Sequence, residues 1–182
     1  IMYIPGLDFA LMWESLPFIL QGLSYTLGIA LMSLLLGNFF GLLLTLLGLI
    51  PSKILRGIVR LWLSFFRGVP ALVLLFILYF GLPYQLHPLT ASIICFTLTG
   101  SAFMGEIYRG SILGIDSGQW DAAYALGFNF TKTMRLIIMP QAFRISVPAL
   151  SNVAMDILKG TSLAAMITIP DIFQNAKIVG GR

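Results

Sequence analysis

Charge is the scarcest property of this chain. Asp, Glu, Lys and Arg make up only 10% of its 182 residues, against roughly a quarter in a soluble domain. Residues 15–52 and 68–105 carry none of them, and each gap exceeds the ~20 apolar residues that cross a bilayer. With 58% hydrophobic residues, such a chain cannot cover a water-facing surface. It reads as an all-α, multi-span membrane protein, with residues 1–182 forming a single transmembrane domain.

Other scarcities narrow the field. The net charge of +4 comes without any basic run able to follow a phosphate backbone, which argues against nucleic-acid binding. Cys95 is the one cysteine and cannot form an internal disulfide. With His87 as the one histidine, no zinc site of His and Cys ligands can be built. Residues 1–14 hold no Lys or Arg, so they lack the basic region of a signal peptide. The chain begins with Ile1, and its natural start is expected further upstream.

Four spans are expected. The first runs from about Leu23 to Ile50 and is stopped by Pro51. Within it Ser33, Gly37, Gly41, Thr45 and Gly48 put small side chains on one helical face, where another helix can come close. That neighbour is either a span of the same subunit or one of a partner. The second span, Gly57 to Phe80, contains Pro70, which should kink it, and ends at the turn signal Gly81-Leu82-Pro83. The third, Leu89 to Ile112, repeats the small-residue stripe at Thr97, Ser101 and Gly105. The fourth is expected to begin at Pro140, a residue suited to the first helical turn, to bend at Pro148, and to stop at Gly160 after Leu158.

Basic residues set the orientation. Lys53, Arg56 and Arg60 flank the first connection, and Lys132, Arg135 and Arg144 flank the third, while Gly81 to Pro88 has none. The positive-inside rule makes the basic connections cytoplasmic and the N-terminus external. Lys159, Lys177 and Arg182 then fall on or near the outer side, against the trend.

Residues 113–139 are too polar to span and too patterned for a plain loop. Asp116 and Ser117 are helix-capping types, Gly118-Gln119-Trp120-Asp121-Ala122-Ala123-Tyr124-Ala125-Leu126 follows as a short helix, and Gly127 can terminate it. The alanines make one face slim, with Trp120, Tyr124 and Leu126 as bulky contacts. Such a helix exposes too much apolar surface to stand alone, and helix-in-groove recognition would cover it.

Here the chain resembles a known family. Asp121-Ala122-Ala123, three residues, Gly127, nine residues, then Ile137-Ile138-Met139-Pro140 is similar to the EAA loop of ABC-importer permeases, whose pattern is Glu-Ala-Ala, x3, Gly, x9, Ile-x-Leu-Pro. The stretches Phe66 to Pro70, Tyr79 to Pro83, Gly105 to Gly110 and Leu158 to Ala164 are similar to the polar amino-acid permeases that serve histidine, glutamine, glutamate, arginine, cystine and opines. Residues Ile169 to Ala176 lean towards the cystine branch.

The resemblance implies a type I ABC importer permease fold in the bacterial cytoplasmic membrane. It implies a second permease subunit (the same chain or another), two ABC ATPase subunits below and an extracytoplasmic solute-binding protein above. Substrate would pass by alternating access. The chain contains no G-x-x-x-x-G-K-[ST] phosphate loop, so ATP and Mg would be bound by the ATPase and no cofactor by this chain, a transporter subunit rather than an enzyme. The resemblance assigns Gly118, Gln119, Trp120, Asp121, Ala122, Ala123 and Gly127 to docking on the ATPase. The family also has a span after the segment Ile172 to Arg182, so a fifth span is expected beyond Arg182. Where the family usually has Lys-Asp-Thr-Ser, this chain has Lys159-Gly160-Thr161-Ser162.

Two places are candidates for the substrate pathway. Glu106 is a carboxylate inside the third span, where ionisable groups are paired or functional; it either pairs with Arg109 or Arg67, or meets a substrate ammonium. Lys159, Thr161 and Ser162 precede the run Leu163 to Ile167, so a half-helix starting there would aim free N–H groups at a substrate carboxylate, unless the stretch is an ordinary capped outer loop. A membrane scaffold that recruits a cytoplasmic partner, or a permease for another small polar solute, are the competing readings.

Overall fold

A computed structural model describes residues 9–181. The stretch before Phe9, including most of the segment without Lys or Arg, lies outside the described residues, as does Arg182. The described residues form helices α1 (Phe9–Gln21), α2 (Leu23–Leu49), α3 (Lys53–Gly68), α4 (Ala71–Phe80), α5 (Pro88–Leu113), α6 (Ser117–Ala125), α7 (Phe130–Thr133), α8 (Met139–Gly160) and α9 (Ile172–Gly180). A π-helical turn, Met134–Ile138, joins α7 to α8, and a 3₁₀ turn, Thr161–Ile167, follows α8. Two segments are long and apolar enough to cross a membrane, Phe9–Leu49 and Pro88–Leu113, and two more qualify as bent pairs.

α5 is the central post, touching α2, α3, α4, α8 and the 3₁₀ turn. Its seam with α2 is built from the small residues picked out by spacing: Ser33, Gly37, Gly41 and Thr45 on α2 are buried, and so are Thr97, Ser101 and Gly105 on α5. A Cβ at Gly41 would lie 2.9 Å from the Gly105 backbone nitrogen and 3.0 Å from the Ser101 carbonyl oxygen. Backbones this close leave no room for a side chain. Thr45 Oγ1 donates to the Gly105 carbonyl at 2.9 Å, and the Tyr108 hydroxyl donates to Asn38 Oδ1. The neighbour of the α2 stripe is thus α5 of the same subunit.

The second span does not simply kink. α3 and α4 meet at 98°, with Val69 and Pro70 both extended. Pro disfavours helical backbone at the residue before it, so the helix stops at Gly68 and restarts in a new direction. The Cys95 thiol of α5 donates to the Ala71 carbonyl at 3.3 Å, holding the restart.

The fourth span also departs from expectation at both ends. It begins at Phe130 rather than Pro140, because the π turn carries the helix through: the Met139 N–H bonds to the Met134 carbonyl, a wider loop than α-helix. Pro140 lacks an N–H and crowds the carbonyl four residues back, and the wide turn accommodates both. At the other end Gly160 keeps right-handed helical backbone, φ −62° and ψ −23°, and the chain tightens into the 3₁₀ turn instead of stopping. The reversal falls at Thr168, with φ 69°, and α9 then starts from a buried Asp171 whose carboxylate accepts from the Gln174 N–H at 2.8 Å. α9 is tied back to the first helices, where Asn175 Nδ2 donates to the Phe18 carbonyl at 3.0 Å.

Outward surfaces are apolar along the spans, as at Leu31, Leu35, Phe39, Ile54, Ile58, Leu61 and Phe65. With its backbones this close, the seam should make Gly41→Leu destabilise the subunit by about 1–3 kcal/mol through overpacking. Gly28→Leu, on the same helix with nothing within 4 Å of its added Cβ, should leave thermal unfolding in detergent unchanged. Equal unfolding midpoints for the two variants would contradict the seam.

Candidate functional site

The polar connection folds into a discrete hairpin of helix. Asp116 Oδ1 accepts from the Gly118 N–H at 2.7 Å and caps α6. At the other end Gly127 takes φ +76°, its N–H bonds to the Tyr124 carbonyl at 2.9 Å and that of Phe128 to the Ala123 carbonyl at 3.0 Å. These two crossed bonds are the Schellman closure of a helix, which requires a left-handed residue after the cap.

α6 has two faces. Ala123 is buried, and Trp120 packs on a cluster of Ile112, Ile115, Met134, Ile138 and Ala142 while its ring stacks on Phe130 with centroids 6.0 Å apart. Gln119 Oε1 accepts from Gln141 Nε2 at 3.1 Å, and Gln141 Nε2 also donates to the Ile137 carbonyl at 3.0 Å. Of the residues expected on the docking surface, Ala123 is buried and Trp120 half-buried against the root of α8, while Gln119 stays exposed and reaches Gln141 along the surface. The outward face keeps Gly118, Asp121, Ala122 and Ala125, with Tyr124 and Leu126 as its large exposed side chains. α6 and α8 share one cluster and one amide ladder, so a push on α6 reaches α8 through packed atoms.

Glu106 is an ion pair. Arg109 Nε donates to Glu106 Oε2 at 3.1 Å, and Arg109 Nη2 reaches the other carboxylate oxygen. The pair borders a cleft of about 540 Å³ between α2, α3 and α5, together with Arg56, Arg60 and Arg67. Lys159, Thr161 and Ser162 stand elsewhere, at the α8 end of the fourth span. Thr161 is buried, its hydroxyl donates to the Leu158 carbonyl at 2.8 Å, and that of Ser162 donates to the Lys159 carbonyl at 2.8 Å. The 3₁₀ turn that begins at Thr161 runs on directly from α8, with the Thr161 N–H bonded to the Ile157 carbonyl, rather than starting as a separate half-helix.

Sequence reasoning passed over the more telling group. A cleft of about 300 Å³ between α5, α8 and the α3–α4 break is lined by Arg67, Phe96, Thr99, Gly100, Asp156 and Gly160 among others. Asp156 and Lys159 are both exposed on α8, beside Asn152 one turn back, and neither forms a salt bridge among the described residues. An unpaired carboxylate inside a span is costly to bury, and Asp156 was the signal: the one acidic residue between Pro140 and Leu158. Gly160 also has a steric reason. A Cβ there would come 3.3 Å from the Phe96 ring, so Phe96 fills the space that a carboxylate at this position would need.

The two basic connections gather at one end of the bundle, where Pro51 and Arg135 border an apolar cleft of about 770 Å³. Residues 37–178 match the model of the binding-protein-dependent transport system inner membrane component. The chain belongs to that family.

It is a permease subunit of the ABC-transporter type, with the type I importer permease fold. The permease is 46% identical over 172 residues to the probable amino-acid ABC transporter permease protein YckA of Bacillus subtilis (strain 168), covering 93% of this chain and 76% of that one. It is 36% identical over 169 residues to the L-cystine transport system permease protein TcyB of the same organism, covering 91% and 72%. A crystal structure of an amino acid ABC transporter with histidines superposes with a TM-score of 0.91 at 30% identity, covering 97% of the permease and 84% of that chain.

The closure of α6 generates a prediction. Gly127 has open space around it, so a substitution there meets backbone strain alone, about 1–2 kcal/mol for an L-residue held left-handed. Gly127→Val should raise the rate of limited proteolysis within residues 113–129 about tenfold, whereas Gly127→Asn, which tolerates left-handed backbone, should stay near the parent rate. Equal rates for Val and Asn would remove the strain argument.

Proposed function

We propose that this permease is the membrane-spanning half of an ATP-driven importer of polar amino acids, with ATP hydrolysed on separate ATPase subunits and substrate passed by alternating access. The observation that carries it is the α8 face on which Asp156 and Lys159 stand three residues apart, exposed and unpaired. A free amino acid is a zwitterion. A carboxylate for its ammonium and an ammonium for its carboxylate, placed about 4.5 Å apart along a helix axis, are the minimal complement to one.

In this reading the α8 face, with Thr161 and Ser162 at its end, lines the pathway and faces the second permease subunit. Glu106 serves structure by orienting Arg109. The outer face of α6, with Asp121 and Ala122, docks on the ATPase, and the Gln119–Gln141 ladder passes the closing movement of the ATPases to α8. The orientation follows the basic residues: Arg56, Arg60, Lys132 and Arg135 on the cytoplasmic side, the N-terminus and a solute-binding protein on the other. The membrane is then the bacterial cytoplasmic membrane. The likeness to TcyB and the run Ile169 to Ala176 make cystine the first cargo to test. A scaffold that only recruits a partner would gain nothing from two unpaired charges within a span, which cost free energy wherever hydrocarbon reaches them.

The test is uptake of radiolabelled amino acids into proteoliposomes holding the full complex. Asp156→Asn should lower uptake about ten- to a hundredfold, the usual weight of a hydrogen bond to a charged group, while the ATPase subunits still copurify with the permease. Lys159→Met should act in the same direction. Uptake unchanged in Asp156→Asn would place the pathway elsewhere.

A further inference from the structure

The cleft between α2, α3 and α5 has no task in the transport reading, yet it gathers five charged side chains. Arg56, Arg60, Arg67 and Arg109 line it with a single carboxylate, Glu106. Arg109 is consumed by that carboxylate, and Arg56, Arg60 and Arg67 form no salt bridge among the described residues. Two of the three are aimed by their own backbone: Arg67 Nε donates to the Leu63 carbonyl at 3.1 Å and Arg56 Nε to the Ser52 carbonyl at 3.4 Å. Their terminal N–H groups remain available. Arg56 and Arg60 are one helical turn apart, where like charges repel, so an external anion would relieve the cleft.

The rest of the lining identifies what kind of anion. Leu49, Val59, Leu63 and Leu113 complete the walls, and Leu113 is largely exposed at the rim. A soluble anion has no use for apolar walls, whereas an amphiphile uses both. α3 points the same way: Ile54, Ile58, Leu61 and Phe65 form a second, fully apolar row, each more than half exposed, at the spacing of one helix face. A helix with a basic row and an exposed apolar row lies at the boundary of headgroups and acyl chains. The volume, about 540 Å³, is within the roughly 300–1,000 Å³ of small-ligand sites.

We propose that this cleft holds the phosphate headgroup of an anionic phospholipid of the adjoining leaflet, with Arg56, Arg60 and Arg67 as its ligands and the Glu106–Arg109 pair as its back wall. Arg forks match phosphate oxygens bidentately, and basic pockets between membrane helices are the usual seat of such headgroups. No residue of α8 takes part, and although Arg67 also borders the Asp156 cleft, Arg56 and Arg60 belong to this site alone and are the residues that test it.

The experiment uses the full-length permease assembled with its ATPase, equilibrated with equal amounts of phosphatidylglycerol and phosphatidylcholine and examined by native mass spectrometry. The parent complex should retain phosphatidylglycerol in preference, and Arg56→Gln with Arg60→Gln should reduce that preference about twenty-five-fold, since each cation near an anionic leaflet is worth a factor of about five. Arg56→Lys with Arg60→Lys keeps the charge and should keep most of the preference, which separates charge from folding. A second measurement needs no variant: a photoactivatable phosphatidylglycerol should label peptides of residues 53–68 in the parent complex. Labelling spread evenly over the spans, or equal retention of the two lipids by the parent, would overturn the proposal. So would protection of the parent against thermal unfolding by millimolar inorganic phosphate without any lipid preference, which would make the occupant a soluble anion.

Discussion

Backbone-to-backbone contact between α2 and α5 is the constraint around which the other helices are arranged. Inside a bilayer the hydrophobic effect gives no reason for two apolar helices to prefer each other over lipid, so association rests on close packing and on hydrogen bonds that the packing makes short. The seam supplies both, since removing side chains at Gly41 and Gly105 brings Thr45 Oγ1 onto the Gly105 carbonyl. Once α5 is held this way, its remaining faces are free to carry α3, α4 and α8.

Against that fixed post the other spans are interrupted. α3 and α4 turn through 98° at Val69-Pro70, and the fourth span changes pitch twice, once before Pro140 and once after Gly160. Each change of pitch sits beside a surface to which the transport proposal gives a task. The π turn lies where α6 is anchored through Trp120 and Gln119, and the 3₁₀ turn begins beside the cleft of Asp156. Segments with non-α pitch concentrate at working sites because they re-aim side chains without ending the helix. The permease thus joins one rigid seam to one helix that can take up strain.

The seam was legible because close approach has a signature at the level of residue type: only Gly, Ser and Thr at every fourth position satisfy it. The closure of α6 was legible for a similar reason, since Gly127 meets a backbone need that few residues meet. The Glu106–Arg109 pair could be named from its three-residue spacing, though spacing alone could not choose between Arg109 and Arg67. What stayed hidden were continuities. Pro140 and Gly160 carry the marks of a helix start and a helix end, yet the chain runs through both by altering pitch, which leaves no capping residue behind. Composition also does not reveal which side of a short helix its own subunit covers, and Ala123 and part of Trp120 are on that side. Asp156 was overlooked among apolar neighbours, although a carboxylate there is as informative as one at Glu106.

Cys95 is fully buried, its thiol committed to the Ala71 carbonyl at the break between α3 and α4. Sulfhydryl reagents act on accessible thiolate, so across these residues the permease is silent to them without any engineering. A cysteine introduced on the open face of α8 or on α6 would be the only reactive one in the described chain. Spin labels, fluorophores and cross-linkers could then report the movement of each surface separately, with the helix break left in its native chemistry.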